Sequence, residues 1–152
     1  MMGKKLLLLA VFIAVPLFAH AQDKESEHPI DVWTSQCMEK DGSTMGMIQC
    51  SDSAAVLWDI ELNRVYKLLM DNLGEDAKSA LREAQREWIK FRDKEFELIS
   101  SYYTYIYEIM GGGTMYPMLA AGARAEVVRK RALALISLYD ELNIHTGNSD
   151  DR

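Results

Sequence analysis

The sequence predicts an all-α protein, an antiparallel helical bundle of three main helices with a disulfide-closed loop on its N-terminal side. Three observations carry this expectation. Apolar residues recur at alternating steps of four and three over most of the chain, no segment alternates with a period of two, and the periodic segments break at glycines. There is no internal repeat.

The chain opens with "MMGKKLLLLAVFIAVPLFAHAQ": two lysines, an apolar run, then Ala19 and Ala21 around His20. This is the pattern of a secretory signal with an A-x-A cleavage site, and the apolar run is too short and too early for a spanning helix. Residues 1–21 are therefore expected to be removed, leaving an exported chain from Gln22. Removal takes away two lysines, leaving 15 basic against 23 acidic side chains and a formal charge of −8. Such a balance argues against a nucleic-acid surface, which needs Lys and Arg to neutralise phosphates. It favours encounter with a basic partner. No later run approaches the length of a membrane span.

Residues 22–36 are polar and are read as a flexible segment. Cys37 and Cys50 are the only two cysteines. In an exported protein, cysteines this close form a disulfide, and closing such a loop stabilises by about 3 kcal/mol. Neither C-x-x-C spacing nor neighbouring histidines point to redox or metal chemistry.

A first long helix is expected from Ser51 or Ser53, either of which can cap free amides. Trp58, Leu62, Val65, Leu69 and Leu73 form its apolar stripe, and Gly74 ends it. The second runs from Glu75 to about Met110, with Leu81, Trp88, Phe91, Phe96, Ile99, Tyr103 and Ile106 on or near the buried side. At about 50 Å it invites a break, expected at "SSYYTY" among weak helix formers. "GGGT" at 111–114 stops it. The third begins at Tyr116 or Pro117, where proline suits a first turn. Its small residues "LAAGARA" permit close approach to another helix. The helical domain thus spans 37–143, and 144–152 is read as a flexible tail.

"QREWIKFRD" places Gln85, Trp88 and Arg92 on one face, and Asp59, Asn63 and Tyr66 follow one face of the preceding helix. In a hairpin turning at Gly74, residues equidistant from the turn oppose each other. This predicts a structural polar network with an Asn63–Gln85 amide pair and an Asp59–Arg92 ion pair, satisfying groups that are costly to bury alone.

Catalytic chemistry finds little support. His28 and His145 lie in the expected mobile ends, and Ser100 and Ser101 have no base nearby in sequence. Glu83 with Glu87 and Asp93 with Glu97 read as solvated helix faces. "GGGT" lacks the lysine of a phosphate loop. Met45 and Met47 are too few for a copper site. No catalytic residue, metal or cofactor is assigned. The tyrosines of "SSYYTYIY" cannot all enter one stripe. Tyr102 and Tyr105 are candidate partner-contact residues, the alternative being a helix packed on two sides.

The set "GSTMGMIQC", "WDIELNRVYKLL", "LREAQREWIKFRD" and "GGGTM", running from Cys37 to Leu142, resembles the family of small exported bacterial domains named for the LprI-type lysozyme inhibitor. Its most specific parts here are D-x-x-LN-x-x-Y (Asp59, Leu62, Asn63, Tyr66) and Q-x-x-W-x-x-x-RD (Gln85, Trp88, Arg92, Asp93). Members of this family often carry a second cysteine pair, one just after the RD-x-E segment and one in the third helix. This chain has Phe96 in the first place and no cysteine after Cys50. The resemblance implies a non-enzymatic protein that binds a protein partner, a basic lysozyme, through a protruding loop. Two loops qualify. One is Asp41–Met47, with Ser43, Thr44 and Met45. The other is Gly111–Met115, with Gly111, Gly112, Gly113 and Thr114. An envelope interaction domain without lysozyme activity is the alternative, and the oligomeric state is left open.

Overall fold

The structure, a computed structural model, describes residues 27–147. The expected signal segment and the last five residues lie outside that range. Four α-helices follow one another: α1 (Pro29–Lys40), α2 (Thr44–Asn72), α3 (Glu75–Ile109) and α4 (Met115–Thr146). No strand occurs among the described residues.

The extra helix is α1, placed where polar composition suggested a flexible segment. Its start has local causes. Pro29 stands at the first helical position, Asp31 favours the positive end of the first turn, and the His28 imidazole accepts a hydrogen bond from the Ile30 amide. Nothing in α1 is fully buried, which is why hydrophobic periodicity did not reveal it. The Cys37–Cys50 disulfide forms as expected and ties α1 to α2.

The other helices differ from expectation at their ends. α2 begins seven residues before Ser51, capped by Ser43, whose Oγ accepts from the Gly46 amide at 3.0 Å. α3 is one unbroken helix of 35 residues, with no break at "SSYYTY". It contains neither proline nor glycine, so every turn keeps its hydrogen-bond donor, and weak propensity costs only tenths of a kcal/mol per residue. α4 runs to Thr146 and closes on Gly147 at φ 72°, taking in three residues, 144–146, that composition had suggested as tail.

α4 lies against both α2 and α3, whereas α2 and α3 touch little beyond their turn. α2 and α4 run in the same direction. Thr44 bonds Thr114 at their starts, Asp52 meets Arg124 further on, and Arg129 sits over Trp58 beyond that. Small residues make the contact close. Ala54 on α2 and Ala120, Ala121 and Ala132 on α4 are all buried, while a Cβ at Gly122 within "LAAGARA" would meet nothing within 4 Å. The core joins the α2 stripe Trp58, Leu62, Val65 and Leu69 to Val128, Ala132 and Leu135 of α4. From α3 only Leu81 is fully buried.

Candidate functional site

The connection between α1 and α2 is a tight polar turn. Asp41 Oδ1 accepts from the Ser43 amide at 3.0 Å, and Ser43 in turn caps α2. Hydrogen bonding from the Ser43 side chain, and after it from the Ser43 amide, holds the Asp41 carboxyl below the ordinary carboxylate range, the charged form being the better acceptor. Gly46 is buried beneath the turn. A Cβ there would run into the Asp41 carboxyl and come 2.7 Å from the Asp41 carbonyl oxygen. The disulfide closes this loop from below, and Met45 projects outward, 62% exposed.

The connection between α3 and α4 is built from glycine because its backbone requires it. Gly111, Gly112 and Gly113 have φ of 75°, 101° and 128°, a region that side chains disfavour. Tyr107 and Tyr116 flank the turn edge to face, with centroids 6.5 Å apart. Met110 and Met115 stand exposed on either side.

These two turns, which the sequence offered as alternatives, lie at the same end of the molecule. The Thr114 hydroxyl donates to Thr44 Oγ1 at 3.3 Å across seventy residues of chain. Parallel packing of α2 and α4 accounts for this, since it brings both helix starts together. Ser43, Thr44 and Met45 therefore adjoin the Gly111–Thr114 turn and form one composite tip. Its exposed thioethers surround a hydroxyl pair and three residues without side chains. Tyr102 and Tyr105 lie elsewhere, exposed along α3.

The polar network expected between α2 and α3 is not the one formed. Asn63 donates to the Asp59 carbonyl at 2.7 Å and to its carboxylate at 3.1 Å, within α2. Gln85 instead accepts from Arg131 of α4 at 3.0 Å, and Arg92 pairs with its neighbour Asp93. The hairpin geometry fails because α4, not α2, covers this face of α3. Trp88 thus lies near two guanidinium groups, Arg92 at 5.6 Å and Arg131 at 5.9 Å from the ring centroid. Burial lowers the Arg131 pKa. Tyr66 packs against the core rather than joining a network.

A second polar cluster has no counterpart in the sequence reading. Trp58, 1% exposed, has the His28 ring at 4.4 Å and the Arg129 guanidinium at 5.6 Å. Arg129 makes a two-pronged bond to Asp31, both contacts 2.8 Å, which ties α1 to α4 and raises the Arg129 pKa. His28, read as a tail residue, is a structural cap stacked on the core tryptophan. A 98-residue separation between Asp31 and Arg129 leaves no local signal, although "HPID" does carry the helix-start pattern. Among the described residues no group of three or more His, Cys, Asp or Glu is placed to hold a metal ion.

Comparison with known proteins places this architecture. The chain is 35% identical over 111 residues to an uncharacterized protein of Rhizobium meliloti (strain 1021), a match taking in 64% of this chain and 75% of the relative. A crystal structure of a putative uncharacterized protein from Burkholderia thailandensis superimposes with a TM-score of 0.66 at 38% identity, covering 76% of this chain and 55% of that one. The family model described as lysozyme inhibitor LprI matches residues 35–135, which include the disulfide, the α1–α2 turn and the Gly111–Thr114 turn, and the chain belongs to that family.

Proposed function

We propose that this chain is an exported, non-enzymatic binding protein that inhibits lysozyme-type muramidases by occluding their cleft with the composite tip. The observation that carries the reading is the Thr44–Thr114 contact, which unites both candidate loops on one end. Muramidases cleave between two carboxyl groups flanking the scissile bond, so an inhibitor need only fill that space and exclude substrate. A tip of thioethers, hydroxyls and glycine backbone offers shape to that space, with the Asp41 carboxylate of the same turn held by Ser43. A formal charge of −8 on the chain from Gln22, 15 basic against 23 acidic side chains, steers encounter with a basic enzyme. Family membership supports the same partner.

The test is lysis of a peptidoglycan suspension by lysozyme with increasing amounts of the purified protein. Saturable inhibition near one-to-one stoichiometry is expected. Undiminished lysis by several lysozyme types would remove the proposal. A second reading, an envelope interaction domain without lysozyme activity, is favoured by Tyr102 and Tyr105, which lie exposed on α3 outside both turns.

A further inference from the structure

α3 carries more apolar surface than its own chain covers. Trp88, Phe96, Ile99, Tyr103 and Ile106 are half-buried on one side of it. Beside them runs a second stripe, Phe91, Glu95, Leu98, Tyr102, Tyr105 and Ile109, at steps of four and three. Every member except Glu95 is more than half exposed. The spacing is that of a coiled-coil seam, in which one helix presents alternate knobs to another helix. Over these residues the seam is about 27 Å long. Five large side chains over that length are what a helix-pair interface needs at its centre.

We propose that this seam pairs with the same seam of a second copy, the two α3 helices running antiparallel. The seam is self-complementary only in that direction. With the axis between Leu98 and Tyr102, Leu98 of each copy meets the other copy's Tyr102, and Phe91 meets Ile109. Glu95 then meets Tyr105. Neither the Glu95 nor the Tyr105 side chain has a hydrogen bond or ion pair among the described residues, and a phenol donating to a carboxylate satisfies both groups. A parallel pair would set Glu95 against Glu95, a like-charge contact inside an apolar seam.

Flanking charges agree with the antiparallel direction. Lys90, Lys94 and Glu108 lie on one edge of the seam, the edge away from Trp88. In an antiparallel pair like edges meet, and Glu108 of one copy falls between Lys90 and Lys94 of the other, whose pairs with Glu87 and Glu97 in the single chain are exposed and weak. The proposal concerns α3 alone and is independent of whether the tip inhibits a muramidase.

Sedimentation equilibrium of the purified protein over micromolar to hundreds of micromolar concentrations is expected to show twice the chain mass. Leu98→Glu is expected to return it to a monomer with unchanged circular dichroism and with the melting temperature that the unaltered chain has at dilutions where it is monomeric, because Leu98 is exposed in the single chain. Direction is read with a short bismaleimide, which spares the disulfide. Phe91→Cys mixed with Ile109→Cys should cross-link, and neither variant alone should. A monomer at every concentration overturns the proposal, as does a dimer indifferent to Leu98→Glu. Phe91→Cys linking to itself overturns the antiparallel direction. A chain that stays monomeric, and whose Leu98→Glu variant loses only muramidase inhibition, assigns the seam to the enzyme instead of a second copy.

Discussion

At the residue scale, the tightest demands fall on groups that look ordinary in the sequence. Gly46 is one. Because a Cβ there meets the backbone of Asp41 as well as its side chain, Gly46→Ala is expected to destabilise by about 2 kcal/mol, as overpacking at a rigid contact does. Urea titration checks this. Asp31 is another. Asp31→Asn should cost about 1 kcal/mol by loosening the Arg129 fork beside Trp58, and near-ultraviolet circular dichroism should report the change in the tryptophan environment. Glu61 supplies a pH dependence. Its hydrogen bond to Arg64 lowers its pKa below the ordinary 4.5. A folded-state value below the unfolded one contributes stability that is complete above the unfolded value and lost as pH falls through the folded value. Glu61→Gln should therefore lower stability at neutral pH and flatten its fall below about pH 4.5.

At the scale of elements, the apolar stripe of α2 was legible because it recurs at steps of four and three over a long run with one buried side. The start of α1 was not, since a helix without a buried residue leaves no such pattern and only "HPID" marks it. The expected break in α3 rested on propensity, a weak force against an uninterrupted ladder of backbone hydrogen bonds. The Asn63–Gln85 pairing rested on an assumption about neighbours. Register counted from Gly74 is sound only if α2 and α3 pack together, and which helices pack is decided by long-range burial that a single sequence does not display. The disulfide followed from two cysteines alone. Cys37→Ser with Cys50→Ser should lower stability by about 3 kcal/mol and release α1 first, measurable as faster amide exchange between Pro29 and Lys40.

At the scale of the whole molecule, parallel packing of α2 and α4 is the arrangement with the largest consequence. It converts two separate turns into one tip and leaves α3 with an open apolar side. Sequence reading identified both turns and both exposed tyrosines as separate candidates, because residues seventy positions apart give no sign of their proximity. Leu98, at the centre of the α3 seam, lies thirteen residues before Gly111, about 20 Å along the helix, so a change there should leave the tip working. The most direct measurement is a lysozyme inhibition titration of Met45→Ala with Met115→Ala, run beside Leu98→Glu and the unaltered chain. The tip variant should lose at least tenfold in apparent affinity, about 1.4 kcal/mol or more, while Leu98→Glu inhibits as the unaltered chain does. Full inhibition by the tip variant, with its folding unchanged, would contradict the assignment of the composite tip as the inhibitory surface.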